Sequence, residues 1–182
     1  MCIRDSFWDQ RDGGFFFTAD NAEKLFVRQK EIYDGALPSG NSVSMLNLLR
    51  LARITADPVF EKNASRIGEA FSGDVNKAPA NYTALLLALD FAVGPSYEVI
   101  VAGRTEAEDT REMLRAITRE FVPNKVVILV PAEHEPDIVR IAPFLRNYFA
   151  VNDRATAYVC VNYKCEFPTI NPKEAVELLH SE

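Results

Sequence analysis

Apolar positions recur at helical spacing through the first half of the chain and cluster at strand spacing through the second. From about Ser42 to Thr55 the positions Val43, Leu46, Leu49 and Ile54 share one face, widened by Leu48, Leu51 and Ala52. That width predicts a largely buried helix. Asp57-Pro58 pairs a capping side chain with proline at a first helical position. It opens a second, amphipathic helix to about Phe71, apolar at Phe60, Ala64, Ile67 and Phe71. A third helix is predicted from about Pro79 to Val93, stopped by Gly94-Pro95. Its run Ala84 to Leu89 leaves little polar face, so cover is expected on several sides. Upstream, Phe7-Trp8-Asp9 and Gly14 to Thr18 flank the polar turn Gln10 to Gly13, which predicts an aromatic hairpin. Tyr33 to Ser42, punctuated by Gly35, Pro38 and Gly40, reads as a loop.

In the second half, short β-branched runs at Val99–Ala102, Lys125–Val130 and Thr156–Val161 alternate with helical stretches at Thr105–Phe121, Pro136–Phe149 and Pro172–His180. This β-α-β-α-β-α order predicts a small three-stranded parallel sheet with right-handed crossovers. The change of period places a boundary near Gly94-Pro95-Ser96, giving a helical segment over 7–95 and an α/β segment over 96–182.

Composition narrows the function classes. The 182 residues are 48% hydrophobic and 25% charged, as in ordinary globular proteins. No apolar run approaches the roughly 20 residues of a membrane-spanning helix, so no membrane role is expected. The net charge is −6, with 10 basic and 12 acidic residues over 1–95 and 10 and 14 over 96–182. Without clustered positive charge, nucleic acid is not an expected partner. Three cysteines are too few for a disulfide framework, and Met1 to Ser6 lacks a secretory pattern. A cytoplasmic, reducing compartment follows as the expectation.

Several residues are candidates for chemistry. Asp34, Ser39, Asn41 and Ser42 converge on the loop before a buried helix. Free N–H groups at a helix start, with hydroxyl, amide and carboxylate groups beside them, can bind a polar ligand such as a sugar. The alternative is that Ser39, Asn41 or Ser42 caps the helix and Asp34 stabilises a turn. Asn81 and Tyr82 open the third helix and either line a cleft or cap and pack. Asp90 is a lone carboxylate in that apolar helix, expected to meet a donor or cation or to act as an acid. Cys160 and Cys165 are spaced Cys-x4-Cys where a strand end and turn can bring the sulfurs together. They read either as a redox pair or as half-buried thiols without chemistry, since redox pairs usually stand Cys-x-x-Cys at a helix start. His134 and His180 lack paired metal-ligand spacing, so neither a metal nor a cofactor is expected. Thr105 and Glu108 match a capping box after the first strand.

Certain segments, in this order, resemble the C-terminal region of the spermatogenesis-associated protein 20 family. They are Gly13-Gly14-Phe15-Phe16-Phe17-Thr18, Lys30 to Ala36 with Pro38-Ser39-Gly40-Asn41-Ser42, Leu48 to Arg53, Tyr82 to Leu86, and Ala157-Tyr158-Val159-Cys160 with Cys165. The resemblance spans about Phe7 to Glu182; Met1 to Ser6 does not match and reads as an assembly or cloning artefact. It implies a thioredoxin-like domain joined to a six-hairpin α/α toroid of the glycosidase type, with a small α/β segment at the end. This chain would then be a fragment: the last helices of the α/α toroid followed by the α/β segment. Its partner would be the missing N-terminal part of the same protein. The implied function is carbohydrate binding or processing, with no particular reaction specified and the fragment itself inactive. On this reading Asp34 is the candidate acid or anchor, and Ser39, Asn41, Ser42 and Tyr82 are ligand-binding candidates. The alternative is a scaffold for a redox or protein-quality activity carried by the absent thioredoxin-like domain.

Overall fold

The computed structural model describes residues 6–22, 27–133 and 137–180. Of the supposed artefact, Met1 to Asp5 lie outside the described residues, as does His134. The chain divides into two units, residues 1–52 with 57–93 and residues 53–56 with 94–182.

The helical unit opens with the aromatic ribbon. Trp8 and Phe15 form an antiparallel bridge, their rings edge-to-face at 4.9 Å. Asp9 N donates to Gly14 O at 2.9 Å and Gly13 N to Asp9 O at 3.1 Å, closing the turn. The two glycines are required by the backbone: Gly13 and Gly14 have φ of 80° and 81°. A Cβ on Gly13 would stand 2.6 Å from the Arg66 carbonyl oxygen.

Three helices follow in this unit: α1 (Gly40–Thr55), α2 (Pro58–Lys77) and α3 (Thr83–Val93). The last turn of α1 belongs to the other unit. Asp57 caps α2, its side chain accepting from Val59 N, and α2 buries Ala64, Ile67 and Phe71. The predicted start of α3 is corrected: Pro79–Asn81 is a 3-10 turn, and the α-helix begins at Thr83. Only Leu85, Ala88 and Phe91 of α3 are buried, while Leu87 is 61% and Val93 77% exposed. Cover on several sides is therefore absent within the described residues, and Asp90 is exposed. The expected α/α toroid is also overturned. Three helices and an extended ribbon bury Trp8, Met45, Leu49, Ile67, Phe71 and Phe91, and the described residues form no ring of hairpins. Alternating buried and amphipathic helices fit any three-helix packing, so their pattern does not specify a toroid.

The α/β unit contains β1 (Tyr97–Gly103), α4 (Glu108–Arg119), β2 (Lys125–Pro131), α5 (Asp137–Ile141), β3 (Thr156–Val161), β4 (Lys164–Cys165) and α6 (Pro172–Leu178). The predicted three-stranded parallel sheet is replaced by a mixed four-stranded one in the order β2-β1-β3-β4. β1 and β2 are parallel, whereas β3 runs antiparallel to both β1 and β4. The connection from β2 to β3 explains the difference. Gly103 pairs with Pro131 at the end of β2, and Ala102 pairs with Thr156 at the start of β3. The chain thus re-enters the sheet at the end it left. The helix predicted over Pro136–Phe149 is only five residues of α5, then a 3-10 turn at Pro143–Asn147. Asn152 and Asp153, both at positive φ, then turn the chain into β3.

β1 lies between two neighbours and all seven of its residues are buried. One face packs Tyr97, Val99 and Val101 with Met113 and Ile117 of α4, Ala175 of α6 and Leu179 just after it. The other packs Ile100, Ala102 and Cys160 with Val139, Ala142, Leu145 and Ile54. The expected Thr105–Glu108 capping box does not form. Helix α4 starts at Glu108 with Ala107 at its cap, and Thr105 N instead donates to Glu133 Oε1 at 2.5 Å.

Candidate functional site

The loop residues singled out from the sequence are brought together in the helical unit, and their polar atoms meet the backbone. Ser39 Oγ accepts from Ser42 N at 3.1 Å and lies 2.8 Å from Ser42 Oγ, which caps α1. Asn41 is 3% exposed. Its Oδ1 accepts from Phe15 N at 2.6 Å, and its Nδ2 donates to Phe15 O at 3.0 Å and Glu31 O at 2.8 Å. It ties the aromatic ribbon to the backbone at Glu31, before the loop. Asp34 Oδ1 accepts from Ser39 N at 2.8 Å; Oδ2 accepts from Ala84 N at 2.8 Å and Leu85 N at 3.1 Å. A carboxylate 50 residues upstream thus serves the free N–H groups of the first turn of α3, where negative charge is favoured. Tyr82 precedes α3 and its carbonyl accepts from Leu86 N at 2.9 Å. These contacts are the capping and turn-stabilising alternative.

Beside this loop is a cleft of about 350 Å³, lined by Phe7, Phe15, Phe16, Phe17, Glu31, Asn41 and Ser44. Sequence reasoning read the phenylalanines only as a hairpin; the signal was three consecutive aromatic residues, which cannot all face one core. Arg28 lies 4.1 Å and Lys30 5.3 Å from the Phe16 ring. At the adjoining turn, Asp9 Oδ2 accepts from Lys30 Nζ at 2.7 Å. Burial opposes the Asp9 charge, but Lys30 and the backbone N–H groups of Asp12 and Arg11 outweigh it, lowering its pKa to about 2.

The α/β unit holds a second cluster. Cys160 and Cys165, directly opposite across β3 and β4, are joined as a disulfide. The two sulfurs are thus bonded, with Cys160 buried and Cys165 exposed. The turn between them is two residues, Asn162 and Tyr163, both at positive φ, a geometry that sets the flanking residues in close register. Glu98 pairs in register with Cys160 on the other side of β3. Its Oε2 accepts from Tyr163 N at 2.9 Å, and Arg53 Nε faces its Oε1 at 3.4 Å. Oε1 is buried without a hydrogen-bond partner, and burial raises the Glu98 pKa despite Tyr163 N–H and Arg53. The Arg53 guanidinium stands 4.3 Å from the Tyr163 ring centroid. Glu98 was missed from the sequence, although a lone carboxylate in a β-branched strand was a usable signal. Among the described residues no group of three or more His, Cys, Asp or Glu is placed to hold a metal ion. No helix among them is long and apolar enough to cross a membrane.

Fold and site define a two-unit protein: a helical unit with an aromatic ribbon and cleft, and a mixed α/β unit carrying a cross-strand disulfide. The chain belongs to the spermatogenesis-associated protein 20 family, as a region of it. It is 35% identical over 175 residues to Spermatogenesis-associated protein 20 of Rattus norvegicus and 34% identical to that of Homo sapiens. Each match covers 96% of this chain and 22% of the relative, so the chain spans about a fifth of the length of the curated relatives it matches. An uncharacterized Caenorhabditis elegans protein is 26% identical over 175 residues, 96% of this chain and 23% of its own. No protein-family model matches the chain.

Proposed function

We propose that the helical unit binds a sugar or a similar polar small molecule in the aromatic cleft, as part of a carbohydrate-binding or carbohydrate-processing protein. The observation that supports this is the lining itself: four phenylalanines beside Glu31 and Ser44. Sugar rings present C–H faces that stack on aromatic side chains while their hydroxyls need a few polar anchors, the mixture a ligand cleft supplies. Asn41 contributes by holding Phe15 and Glu31 in place, since its amide is already hydrogen-bonded to both backbones. Asp34, Ser39 and Ser42 keep the loop and helix starts in position around the cleft.

On this reading the rest of the longer family protein is the partner, and the exposed Leu87, Leu89 and Val93 of α3 are the surface that supports it. The test is saturation-transfer NMR of this chain with a panel of neutral and acidic mono- and disaccharides. Transfer to at least one sugar is expected, and Phe17→Ala, at a side chain 61% exposed, should weaken it roughly tenfold without unfolding the chain. Phe121→Ala, at a still more exposed ring in the other unit, should change nothing. Absence of transfer across the panel, or equal transfer in Phe17→Ala, overturns the assignment.

A further inference from the structure

The disulfide in the α/β unit is asymmetric in a way that bears on its chemistry. Cys160 is 2% exposed and packs with Ile100, Ala102 and Leu145, whereas Cys165 is exposed on the two-residue edge strand β4. Thiol–disulfide exchange needs a thiolate to reach one sulfur in line with the bond while the other departs. Of the two residues only Cys165 is exposed to an incoming thiolate. Tyr148 Oη lies 3.5 Å from Cys165 Sγ, and since a disulfide sulfur carries no hydrogen the tyrosine is the donor. An O–H aimed at that sulfur stabilises negative charge whenever Cys165 becomes a thiolate.

We propose that Cys160–Cys165 is a thiol-exchange site, opened by an external dithiol that attacks Cys165 and leaves Cys160 as the first departing sulfur. In the first step the dithiol's thiolate forms a bond to Cys165 Sγ, the Cys160–Cys165 bond breaks, and Cys160 takes the electron pair and then a proton from solvent. In the second, the dithiol's other thiolate attacks its own sulfur in the mixed disulfide and expels Cys165 as a thiolate, toward which Tyr148 donates. The external dithiol is oxidised to a disulfide by two electrons, and the chain's disulfide is reduced to two thiols. Run in reverse, Cys165 is the nucleophile that reduces an external disulfide.

The consequence within the unit is local. β4 pairs with β3 through only two residue positions, and its turn is further held by Tyr163 N donating to Glu98. Opening the disulfide removes the covalent link but leaves that short edge strand held by those contacts, by Asn162 bonded to Ser96, by Glu166 N donating to Val159 O and by Arg53 over the Tyr163 ring. This inference is independent of the sugar-cleft reading, which lies in the other unit.

The oxidised 182-residue chain is treated at pH 7.5 with dithiothreitol or with a small thioredoxin whose second active-site cysteine is replaced by serine. Native alkylation and peptide mass mapping then locate free thiols and any trapped mixed disulfide. Dithiothreitol should expose Cys165 to alkylation with circular dichroism unchanged, with Cys160, 2% exposed, labelled only after unfolding. A protein adduct on Cys165 assigns the site to protein dithiols; reduction by dithiothreitol without an adduct assigns it to small dithiols. Tyr148→Phe should slow release of Cys165 roughly tenfold, whereas a merely structural tyrosine would leave that rate unchanged. The proposal is overturned if both cysteines resist alkylation until the chain unfolds, or if the adduct forms on Cys160.

Discussion

Replacing Asp34 by alanine should destabilise the helical unit by about 2–3 kcal/mol, mainly through helix α3 and in smaller part through the loop that carries the residue. Removing a helix N-cap acceptor costs roughly 0.5–2 kcal/mol, and loss of a negative charge near the helix start adds about 0.5 kcal/mol. Asp34 accepts from two first-turn N–H groups of α3, Ala84 and Leu85, and also from Ser39 N in its own loop. The third bond contributes about 1 kcal/mol, because Ser39 is buried and its N–H loses a partner. Asp34→Asn keeps one acceptor oxygen and should lose about half as much. Trp8 is the sole tryptophan and is buried in the helical unit, so its fluorescence in a urea titration at pH 7 reports that unit. A ligand-site acid would behave differently: Asp34→Asn would then leave the melting temperature nearly unchanged. A loss under about 0.5 kcal/mol for Asp34→Ala, with unchanged urea dependence, would refute the capping argument.

Three further outcomes follow from the same geometry. Gly13→Ala should cost roughly 2–4 kcal/mol, since φ is 80° and the new Cβ meets the Arg66 carbonyl at 2.6 Å. Gly40→Ala, with nothing within 4 Å of its Cβ, should instead be neutral or stabilise by about 0.4–1 kcal/mol; equal melting shifts for the two variants would contradict this. Asp9, with its pKa lowered to about 2, contributes stability above the ordinary carboxylate range that is lost as pH falls through about 2. The advantage of the parent chain over Asp9→Asn, about 1–2 kcal/mol after allowing for nearby water, should therefore shrink during acid titration, and a constant difference would count against the Lys30 pairing. Glu98 has the opposite sign: its raised pKa favours the neutral carboxyl in the folded state, so its stability contribution is present at low pH and lost as pH rises through the raised value. Relative to Glu98→Gln the parent should lose stability as pH rises, and a relative gain would show that Arg53 outweighs the burial.

Much of the local structure was legible in residue order. Asp57-Pro58 marked the start of α2, the spacing of Ala64, Ile67 and Phe71 marked its buried face, and Gly94-Pro95 marked the end of α3. The places of β1, β2, β3, α4 and α6 after Ser96 were also readable, though not β4 or the shortness of α5, because apolar periodicity reports which side of an element must leave water. Strand direction was not. A β-branched run has the same pattern whether its neighbour is parallel or antiparallel, and the choice was made by a connection that returns to the end of the sheet it left. The partners of Asp34 lie 50 residues away, so the sequence showed an acidic loop residue while the fold made it the cap of another helix. Cys160 and Cys165 were visibly close, yet only a two-residue turn with both φ values positive sets them directly opposite. Glu98 stood in plain view within a strand, but its proximity to Arg53, Tyr163 and the disulfide depends on three separate chain segments meeting. Local patterning thus determined the elements and their apolar faces; register, strand polarity and polar partners were decided by tertiary closure, since they depend on distances between residues far apart in the chain.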